Sequence, residues 1–580
     1  MRNYLGSGRL FRKSTKMSSM FLLLCILCAA AAPVMAQWEA ERGSFRYAVV
    51  VREDTYQDPE WVEVVDSLLA KYPAQVFVYT GSIYDIQDEV GAYAPDYMAF
   101  VCEWNNATAT FVDTVWKFGR GLDSDPYGDA VWGIITGYYA SDALRLATGP
   151  EGFDVITMLG GTTSCGLTHY PQGISTSEST YGLYYTKALN EPDAVQHTDG
   201  PTDRTDWLVS CLNADSVNIF VTSGHGAHYQ WQMHYPDLGD EGTFRSYGYL
   251  GVQAVGRNNA TDILEINSSN PKIFFGQGNC QIGKIVNYNS MALGWLHTAG
   301  AYFYTGYIIN EGSASQQHGG TKAYFAQQAH YTWPQAYYLG NQALYYDKYN
   351  ATPGAAGAPD LNGSALYGDP AMEARIPDVG VYDDLLYSEE VLVDSSGALW
   401  EVTVRITMNV EGSPGYTSKW GNRSPIVLFP FRVEDITVVS HDCKDVVVTD
   451  NFALLHIWNK TEDPLPAAAT REVTFTCNPL TGIIAEEEQS FFNCNLACSP
   501  NPFSGSTVIS FNLPEQMQAT LDIFDLSGRI VETLVDGTAL AGSNTVVWGA
   551  NSDNQIPDGV YICRLSAGSA SYTSRMVYLR

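Results

Sequence analysis

The sequence has few basic residues. It contains 32 Lys and Arg against 63 Asp and Glu, so its formal net charge is −31. No acid occurs in the first 36 positions, and removal of their five basic residues takes the net charge to −36. A surface this acidic repels the phosphate backbone of nucleic acids. The composition therefore argues against nucleic acid as a partner.

The apolar run near the N-terminus is too short for a membrane-spanning helix, which needs about 20 residues. This run, residues 20–32, follows a basic front and precedes Val34, Met35 and Ala36. Basic front, apolar run and small-x-small site are the order of a secretory signal peptide. We therefore expect residues 1–36 to be a signal peptide that is cleaved after Ala36, the alternative being an uncleaved anchor.

Cysteine is scarce, and its count is odd once the leader is removed. Of eleven cysteines, Cys25 and Cys28 leave with the leader and nine remain. In an exported protein, an odd number predicts at least one thiol that is unpaired or paired between chains. Cys443 and Cys477 share a strand-rich segment and are candidates for a bridge.

Residues 45–375 show apolar strands that alternate with helices. Continuous apolar strands separated by helices predict a largely parallel sheet with helices on both faces. We divide this part into an N-terminal α/β subdomain, 45–150, and a second α/β subdomain, 151–375. The predicted strands are 45–51, 75–79, 96–102, 153–159, 217–222, 272–275 and 301–304, and the clearest helices are 59–72 and 291–298.

From residue 376 the pattern changes to strict alternation. Residues 400–410 carry an apolar side chain at every even position, which is typical of a half-buried antiparallel strand. Further short strands predict one β-sandwich over 376–490 and a second over 497–580. The predicted fold class is thus a multidomain protein with an α/β part followed by two all-β sandwiches.

Two apolar strands end in glycine-rich turns that carry reactive side chains. His225 follows the strand 217–222 between Gly224 and Gly226, and Cys280 follows the strand 272–275. In an open α/β sheet, such strand ends form the ligand-binding edge. If the strands are neighbours, a thiolate and an imidazole meet there, as nucleophilic thiol chemistry requires. The N–H groups of Gly226 and Cys280 would then form an oxyanion hole.

These blocks resemble those of the caspase-fold cysteine peptidases, most closely the gingipain family. The matching residues are Gly224, His225, Gly226 and Trp231 in the first block, Cys280 to Gly283 and 290–301 in the second, and the Gly368-Asp369-Pro370 segment downstream. The resemblance implies a caspase-like catalytic domain of two subdomains followed by immunoglobulin-like sandwiches. It makes Cys280 the nucleophile, His225 the general acid and base, and an acidic residue, for which Asp154 is the candidate, the group that orients His225.

The function that this resemblance implies is that of a secreted cysteine endopeptidase acting on proteins or peptides, with no required cofactor. The alternative is a non-catalytic cell-surface adhesin or binding protein on a caspase-like scaffold.

Two metal hypotheses arise from the residues. His225, His228 and His234 have a spacing that could hold zinc, although no further ligand completes a known pattern. Asp123, Asp125 and Asp129 offer oxygen ligands at alternating positions in a glycine-containing loop, which suggests calcium. Solvated loop acids are the alternative explanation.

The last module resembles the C-terminal sorting domain of type IX secretion. The resemblance is carried by 499–503, 507–514, 521–529, Trp548 and 558–561. It implies export to the cell surface or medium of a Gram-negative bacterium, the type IX machinery as a partner, and possible attachment to the outer membrane. The immunoglobulin-like part of flagellar hook-capping proteins shows the same pattern, so a plain sandwich appendage is the alternative.

Overall fold

The computed structural model describes residues 45–189, 191–257, 263–310, 316–328, 331–351, 358–377, 385–480 and 496–579, except 502, 514–515, 526–529, 550–556, 558 and 568–569. The predicted signal peptide 1–36 and Cys494 lie outside the described residues. Within the described ranges, no helix combines the length and apolarity that a membrane crossing requires. The chain divides into a large unit, 44–482, and a unit that contains the C-terminal module.

The α/β part of the large unit follows the predicted alternation. Its elements are β1 (Tyr47–Arg52), α1 (Glu53–Gln57), α2 (Pro59–Lys71), β2 (Ala74–Tyr79), α3 (Gln87–Tyr93), β3 (Tyr97–Val101), α4 (Ala109–Gly119), β4 (Val131–Ile135), α5 (Ala140–Ala147), β5 (Gly152–Asp154), β6 (Thr157–Gly160), β7 (Gln172–Thr176), β8 (Tyr184–Lys187), β9 (Val195–His197), α6 (Thr205–Asn213), β10 (Ile219–Thr222), β11 (Gly226–Ala227), β12 (Gln230–Gln232), β13 (Thr243–Ser246), β14 (Val252–Val255), β15 (Ile263–Glu265), β16 (Lys272–Gly276), α7 (Met291–His297), β17 (Ala301–Tyr307), α8 (Gln316–Lys322), α9 (Trp333–Tyr346), β18 (Ser364–Tyr367) and β19 (Glu373–Arg375).

One twelve-stranded sheet runs through this part in the order β2-β1-β3-β4-β18-β17-β16-β10-β6-β7-β8-β9. Most neighbouring strands are parallel, as predicted, whereas β8 and β9 form an antiparallel edge. Strand β18 is parallel to β4 and antiparallel to β17. It therefore joins the strands of the two predicted subdomains, 45–150 and 151–375, into one continuous sheet.

The Gly-Asp-Pro segment directly follows β18. Asp369 is fully buried, and its carboxylate accepts hydrogen bonds from the hydroxyls of Tyr47 (2.9 Å) and Tyr72 (2.6 Å) and from the ammonium of Lys71 (3.0 Å). Gly368 has a φ of +142°, and a Cβ there would lie 2.4 Å from the carbonyl oxygen of Tyr302. The segment thus ties β18 to β1 and to the end of α2, and its glycine is required by space and by backbone conformation.

The predicted sandwich over 376–490 consists of two antiparallel sheets. Its strands are β20 (Tyr387–Asp394), β21 (Trp400–Met408), β22 (Ile426–Leu428), β23 (Val433–His441), β24 (Asp445–Val448), β25 (Phe452–His456) and β26 (Thr470–Pro479). The sheet orders are β20-β21-β26-β23 and β22-β25-β24. Cys443 and Cys477 are free thiols, so the bridge considered from the sequence is absent.

Strand β25 is buried on both faces, which explains its unbroken apolar run. Phe452 and Leu454 belong to the core of the α/β part, whereas Ala453 and Leu455 belong to the core between the sandwich sheets. Alternate side chains of a strand point to opposite faces of its sheet. The sandwich therefore packs directly on the α/β part through β25 and its neighbours.

The C-terminal unit contains two further antiparallel sheets around one core. Its strands are β27 (Ala497–Ser499), β28 (Ser506–Leu513), β29 (Met517–Asp525), β30 (Ile530–Ala539), β31 (Gly542–Gly549), β32 (Gly559–Ala567) and β33 (Ala570–Tyr578). The sheet orders are β27-β28-β31 and β30-β29-β32-β33. Ile509 and Trp548 from one sheet share a core with Leu521 and Leu565 from the other. The predicted glycine-rich turn 526–529 lies outside the described residues.

Candidate active site

The two predicted strand ends are neighbours in the sheet. Strands β10 and β16 are parallel, with Thr222 opposite Gly276, and the N–H of Gln277 donates to the carbonyl of Thr222 at 2.9 Å. Their carboxyl ends therefore meet at one edge of the sheet. The loops that carry His225 and Cys280 both leave from this common edge, so the condition on which the predicted pair depends is met.

Asn279 joins the two loops through its side chain. It is fully buried, accepts a hydrogen bond from the hydroxyl of Thr222 at 2.7 Å, and donates to the carbonyl of Gly224 at 3.1 Å. The amide therefore uses both its acceptor and its donor on the segment that leads into His225. This bridge fixes the backbone before the histidine relative to the backbone before the cysteine.

Gly226 packs directly against the cysteine loop. A Cβ atom at Gly226 would lie 2.9 Å from the Cβ of Asn279 and 3.2 Å from the carbonyl oxygen of Cys280. Gly224 adopts a φ of +85°, a conformation that favours glycine. The backbone conformation at Gly224 and the close packing at Gly226 thus explain why glycine occupies both positions. Together they allow the backbone around His225 to lie against that of Cys280.

His225 is exposed at the start of a small hairpin. Strands β11 and β12 pair directly after it, and the N–H of Gln232 donates to the carbonyl of His225 at 3.1 Å. The indole of the buried Trp231 donates to the carbonyl of Ser223 at 2.8 Å. The imidazole lies against the ring of Tyr235, with 5.0 Å between ring centroids. The backbone on both sides of His225 is held while its ring stays accessible.

A buried polar cluster supports the loop that carries Tyr235. The N–H of Tyr235 donates to the carbonyl of Glu178 at 2.9 Å, and the Glu178 carboxylate accepts from the hydroxyl of Thr162 at 2.8 Å. Arg204 donates to the carbonyl of Met233 at 2.7 Å and to Glu241 at 2.6 Å. These contacts fix Tyr235 against the His225 loop from the neighbouring strand ends.

Cys280 is a free, partly exposed thiol on an anchored segment. The N–H groups of Gln281 and Gly283 donate to the carbonyls of Ile309 (2.8 Å) and Tyr307 (2.9 Å). The residues after the cysteine are therefore fixed to the segment at the end of β17. An accessible thiol on a rigid loop is suited to nucleophilic chemistry.

Trp420, from the sandwich, reaches the same edge. A Cβ at Gly278 would lie 3.1 Å from Cη2 of Trp420 and 3.1 Å from the hydroxyl of Ser223. Gly278 and Ser223 each precede a candidate catalytic residue by two positions. The sandwich therefore supplies an aromatic side chain where the two loops converge.

The structure contradicts the prediction that Asp154 orients His225. The predicted strand 153–159 is broken into β5 and β6. Asp154 is exposed at the end of β5, where its backbone pairs with that of Arg375 in β19, and it therefore precedes the amino end of β6. Because β6 and β10 are parallel, the carboxyl-end loop with His225 lies at the opposite edge of the sheet.

The three histidines considered for zinc have separate surroundings. His234 stacks on Tyr181 with 4.5 Å between ring centroids and lies 3.7 Å from Glu241. Burial, followed by the charge of Lys284, lowers the pKa of His228. None of the three belongs to a group of side chains close enough to share a metal ion among the described residues.

The acidic side chains that lie together differ in one residue from the predicted calcium ligands Asp123, Asp125 and Asp129. Asp123 and Asp129 approach each other, but their third neighbour is Asp450 of the sandwich, and the three ligand atoms lie within 4.8 Å of one another. The carboxylate of Asp125 instead accepts from the N–H of Tyr127 at 2.8 Å. Burial, followed by the neighbouring charge of Asp123, raises the pKa of Asp125 to about 6 and that of Asp129 to about 9.

Sequence reasoning missed Asn279, Trp420 and Asp450. Asn279 directly precedes the predicted nucleophile, so its position in the sequence could have identified it. Its hydrogen bond to Gly224, 55 residues away, leaves no such signal. Trp420 and Asp450 lie in the β-rich segment, and no local pattern connects them to residues of the α/β part.

Comparison with known proteins gives one family match and several structural likenesses, two of which are described here. No curated protein matches the chain. The chain is similar to dimeric latent PorU from Porphyromonas gingivalis at 14% identity and a TM-score of 0.17, over 39% of this chain and 23% of that one. It is similar to a polysaccharide lyase at 8% identity and a TM-score of 0.14, over 37% of this chain and 38% of that one. Both TM-scores are too low to support a conclusion about fold or function.

The family match concerns the last module. Residues 498–578 match the model of the secretion system C-terminal sorting domain, in agreement with the pattern of strands and turns over 497–580. The C-terminal unit is therefore a type IX secretion sorting domain, and the chain that carries it is an exported protein of the cell surface or the extracellular space.

Proposed function

We propose that this protein is a secreted cysteine endopeptidase with Cys280 as nucleophile and His225 as general acid and base. The observation that carries the proposal is the contact between the two loops. Gly226 lies against Asn279 and the carbonyl of Cys280, and Asn279 bridges back to Thr222 and Gly224. Two side chains of the types that thiol proteolysis requires thus emerge together, one exposed and one partly exposed.

The reaction that this pair supports has two steps. In the first, the proton of the Cys280 thiol passes to His225, the sulfur bonds to the scissile carbonyl carbon, and the C–N bond breaks as His225 gives its proton to the departing amine. In the second, His225 takes a proton from water, the resulting hydroxide bonds to the acyl carbon, and the C–S bond breaks as the Cys280 sulfur takes that proton back from His225. The products are an amine and a carboxylic acid, and no cofactor is needed.

The oxyanion of each tetrahedral intermediate would be held by the N–H groups of Gly226 and Cys280. Support comes from the lack of a side chain at Gly226, which lets its backbone approach the cysteine loop. One such donor is worth roughly 3–4 kcal/mol of barrier in other hydrolases. The site consists of a dyad, since Asp154 lies at the other edge of the sheet.

The proposal includes a caspase-like catalytic part with an immunoglobulin-like sandwich packed on it. The sequence resemblance to gingipains and the order of the modules support this description. Protein or peptide substrates are expected outside the cell, where the sorting domain delivers the chain. The type IX machinery is the expected partner during export, and attachment at the outer membrane is a possible end point.

An activity-based label tests the proposal directly. Peptidyl acyloxymethyl ketones, with all residue types at the first position, should label the wild-type protein irreversibly, because the thiolate displaces the acyloxy group. The adduct should map to Cys280 by mass spectrometry and be absent from Cys280→Ala. Labelling of another cysteine, or of none with any first-position residue, would favour the binding-protein alternative.

Replacement of Asn279 by alanine should reduce kcat by about 10- to 100-fold with a smaller change in KM. The substitution removes the bridge between the loops, and displacement of a catalytic group by about 1 Å can cost a factor of 10². Steady-state kinetics on a substrate selected from a peptide library gives both constants. Asn279→Asp, which keeps the acceptor for Thr222 but loses the donor to Gly224, should show the same direction of effect.

The matched control is Asn270. Its amide donates to the carbonyl of Val217 at 2.7 Å and so bridges the same two strands at their amino ends. Asn270→Ala should lower the thermal midpoint while kcat stays within about twofold of wild type, since it lies away from the reacting groups. An equal loss of kcat in both variants would mean that Asn279 acts only through stability.

A further inference from the structure

We propose that a divalent cation of the calcium type binds between the α/β part and the sandwich, on Asp123, Asp129 and Asp450. Their ligand atoms lie within 4.8 Å of one another. Asp123 and Asp129 come from the loop between α4 and β4, and Asp450 comes from the turn between β24 and β25. The site therefore joins the two parts of the large unit and does not depend on the proposed peptidase function.

Two buried carboxylate oxygens at this junction have no hydrogen-bond donor. Asp129 is 4% exposed, and its Oδ2 has no partner. Oδ1 of Asp450 is likewise buried without a partner. A buried carboxylate oxygen without a donor or cation carries a large desolvation cost. These two oxygens, one from each part of the unit, are the natural ligands of a bound cation.

The neighbouring cation, Arg432, already makes four contacts through all three of its guanidinium nitrogens. Its Nε lies 3.3 Å from the Asp96 carboxylate, and its Nη1 donates to Oδ2 of Asp450. Its Nη2 donates to the backbone carbonyls of Pro95 and Asp129. The guanidinium thus donates to the backbone carbonyl of Asp129 and not to Oδ2 of its carboxylate. Its single positive charge also faces more acidic groups than it can neutralise.

The donor set favours calcium over transition metals. All three ligands are carboxylates, and hard oxygen donors are preferred by calcium and magnesium, whereas zinc prefers nitrogen and sulfur. Calcium needs about 6–8 oxygens, and water can complete the set from the side of Asp123, which is exposed. Magnesium demands stricter octahedral geometry, so calcium is the better match for a site built from two separate segments.

The backbones that carry Asp129 and Asp450 are held together before any ion binds. The N–H of Asp129 donates to the carbonyl of Gly119 at 3.0 Å, and the carbonyl of Asp129 accepts from the amide of Asn451 at 2.9 Å. Asn451 follows Asp450 directly, so the backbones of the two segments are already connected. A bound cation would therefore stabilise this junction with little rearrangement of its ligands.

The test uses calcium chloride with the full exported chain after EDTA treatment. Calcium should raise the thermal midpoint by about 5 °C at saturation, and calorimetric titration should give a Kd of about 10⁻⁴ M or tighter. Asp129→Asn and Asp450→Asn should each weaken binding by about tenfold or more, because each removes one charged ligand. Tyrosine-sensitised terbium luminescence gives an independent readout of occupancy.

Asp125→Asn is the matched control, since Asp125 lies in the same loop but outside the cluster. Its calcium affinity should stay within about twofold of wild type. In EDTA, Asp129→Asn should be at least as stable as wild type, because the neutral amide removes repulsion without unfolding the junction. The proposal is overturned if millimolar calcium neither binds nor stabilises the wild type, if both cluster variants bind as well as wild type, or if Asp125→Asn loses as much affinity as they do.

Discussion

Cys280→Ala and His225→Ala should each reduce kcat for peptide cleavage by about 10⁴-fold or more, while substrate binding changes little. Without the sulfur no acyl-enzyme can form, and without the imidazole the thiol proton and the leaving amine have no partner for proton transfer. Residues that act as one unit have non-additive effects, so the double variant should be no slower than the poorer single variant. Single-turnover kinetics on a library-selected peptide measures these rates.

His228 provides the control for this experiment. It is partly buried and belongs to the same short hairpin, three residues after His225. Its backbone carbonyl accepts from Met291 at 2.6 Å, a contact that survives replacement of the side chain. His228→Ala should keep kcat within about twofold of wild type. If Cys280→Ala keeps its activity, or if His228→Ala loses as much as His225→Ala, the assigned dyad is wrong.

Asp369→Ala should have the largest effect on stability, about 3–5 kcal/mol. The substitution leaves the buried hydroxyls of Tyr47 and Tyr72 without their acceptor and the ammonium of Lys71 without its counter-charge. In the wild-type protein burial, followed by the charge of Asp369, raises the pKa of Tyr47 and of Tyr72, so both hydroxyls are protonated donors that need an acceptor. Differential scanning calorimetry should show a midpoint lowered by about 10 °C.

Two further variants make this prediction specific. Asp369→Asn retains an acceptor oxygen but not the charge, so its loss should be smaller than that of alanine. Asp154→Ala removes an exposed carboxylate and should change stability by no more than about 0.5 kcal/mol. A midpoint for Asp369→Ala equal to that of Asp154→Ala would show that the buried cluster contributes nothing to stability.

Much of the architecture could be predicted because burial leaves a periodic record. The helix predicted over 59–72 is α2, the strand predicted over 272–275 is β16, and the alternation over 400–410 marks β21. The division into α/β and all-β segments followed from the same signals. The predicted strand 153–159 was less accurate, since its apolar residues are shared between β5 and β6, which belong to different sheets.

The candidate site was predicted only in part. His225 and Cys280 could be identified because each follows an apolar strand and stands in a glycine-rich turn. Asp154 stands at the start of the predicted strand 153–159, whereas His225 follows the end of the strand 217–222. Direction along a strand decides which edge of the sheet a residue occupies, and here it separates Asp154 from His225 and Cys280.

The sequence by itself determined the order of the modules, the two candidate catalytic side chains and the export signal in the last module, because each depends on residues close together in the chain. Only the tertiary structure decided that β10 and β16 are neighbours, that Asn279 bridges their loops, and that Trp420 and Asp450 reach the α/β part. The physical reason is that such contacts depend on strand pairing and on packing between sheets. Residues far apart in the chain meet in this way without leaving any periodic pattern in the sequence.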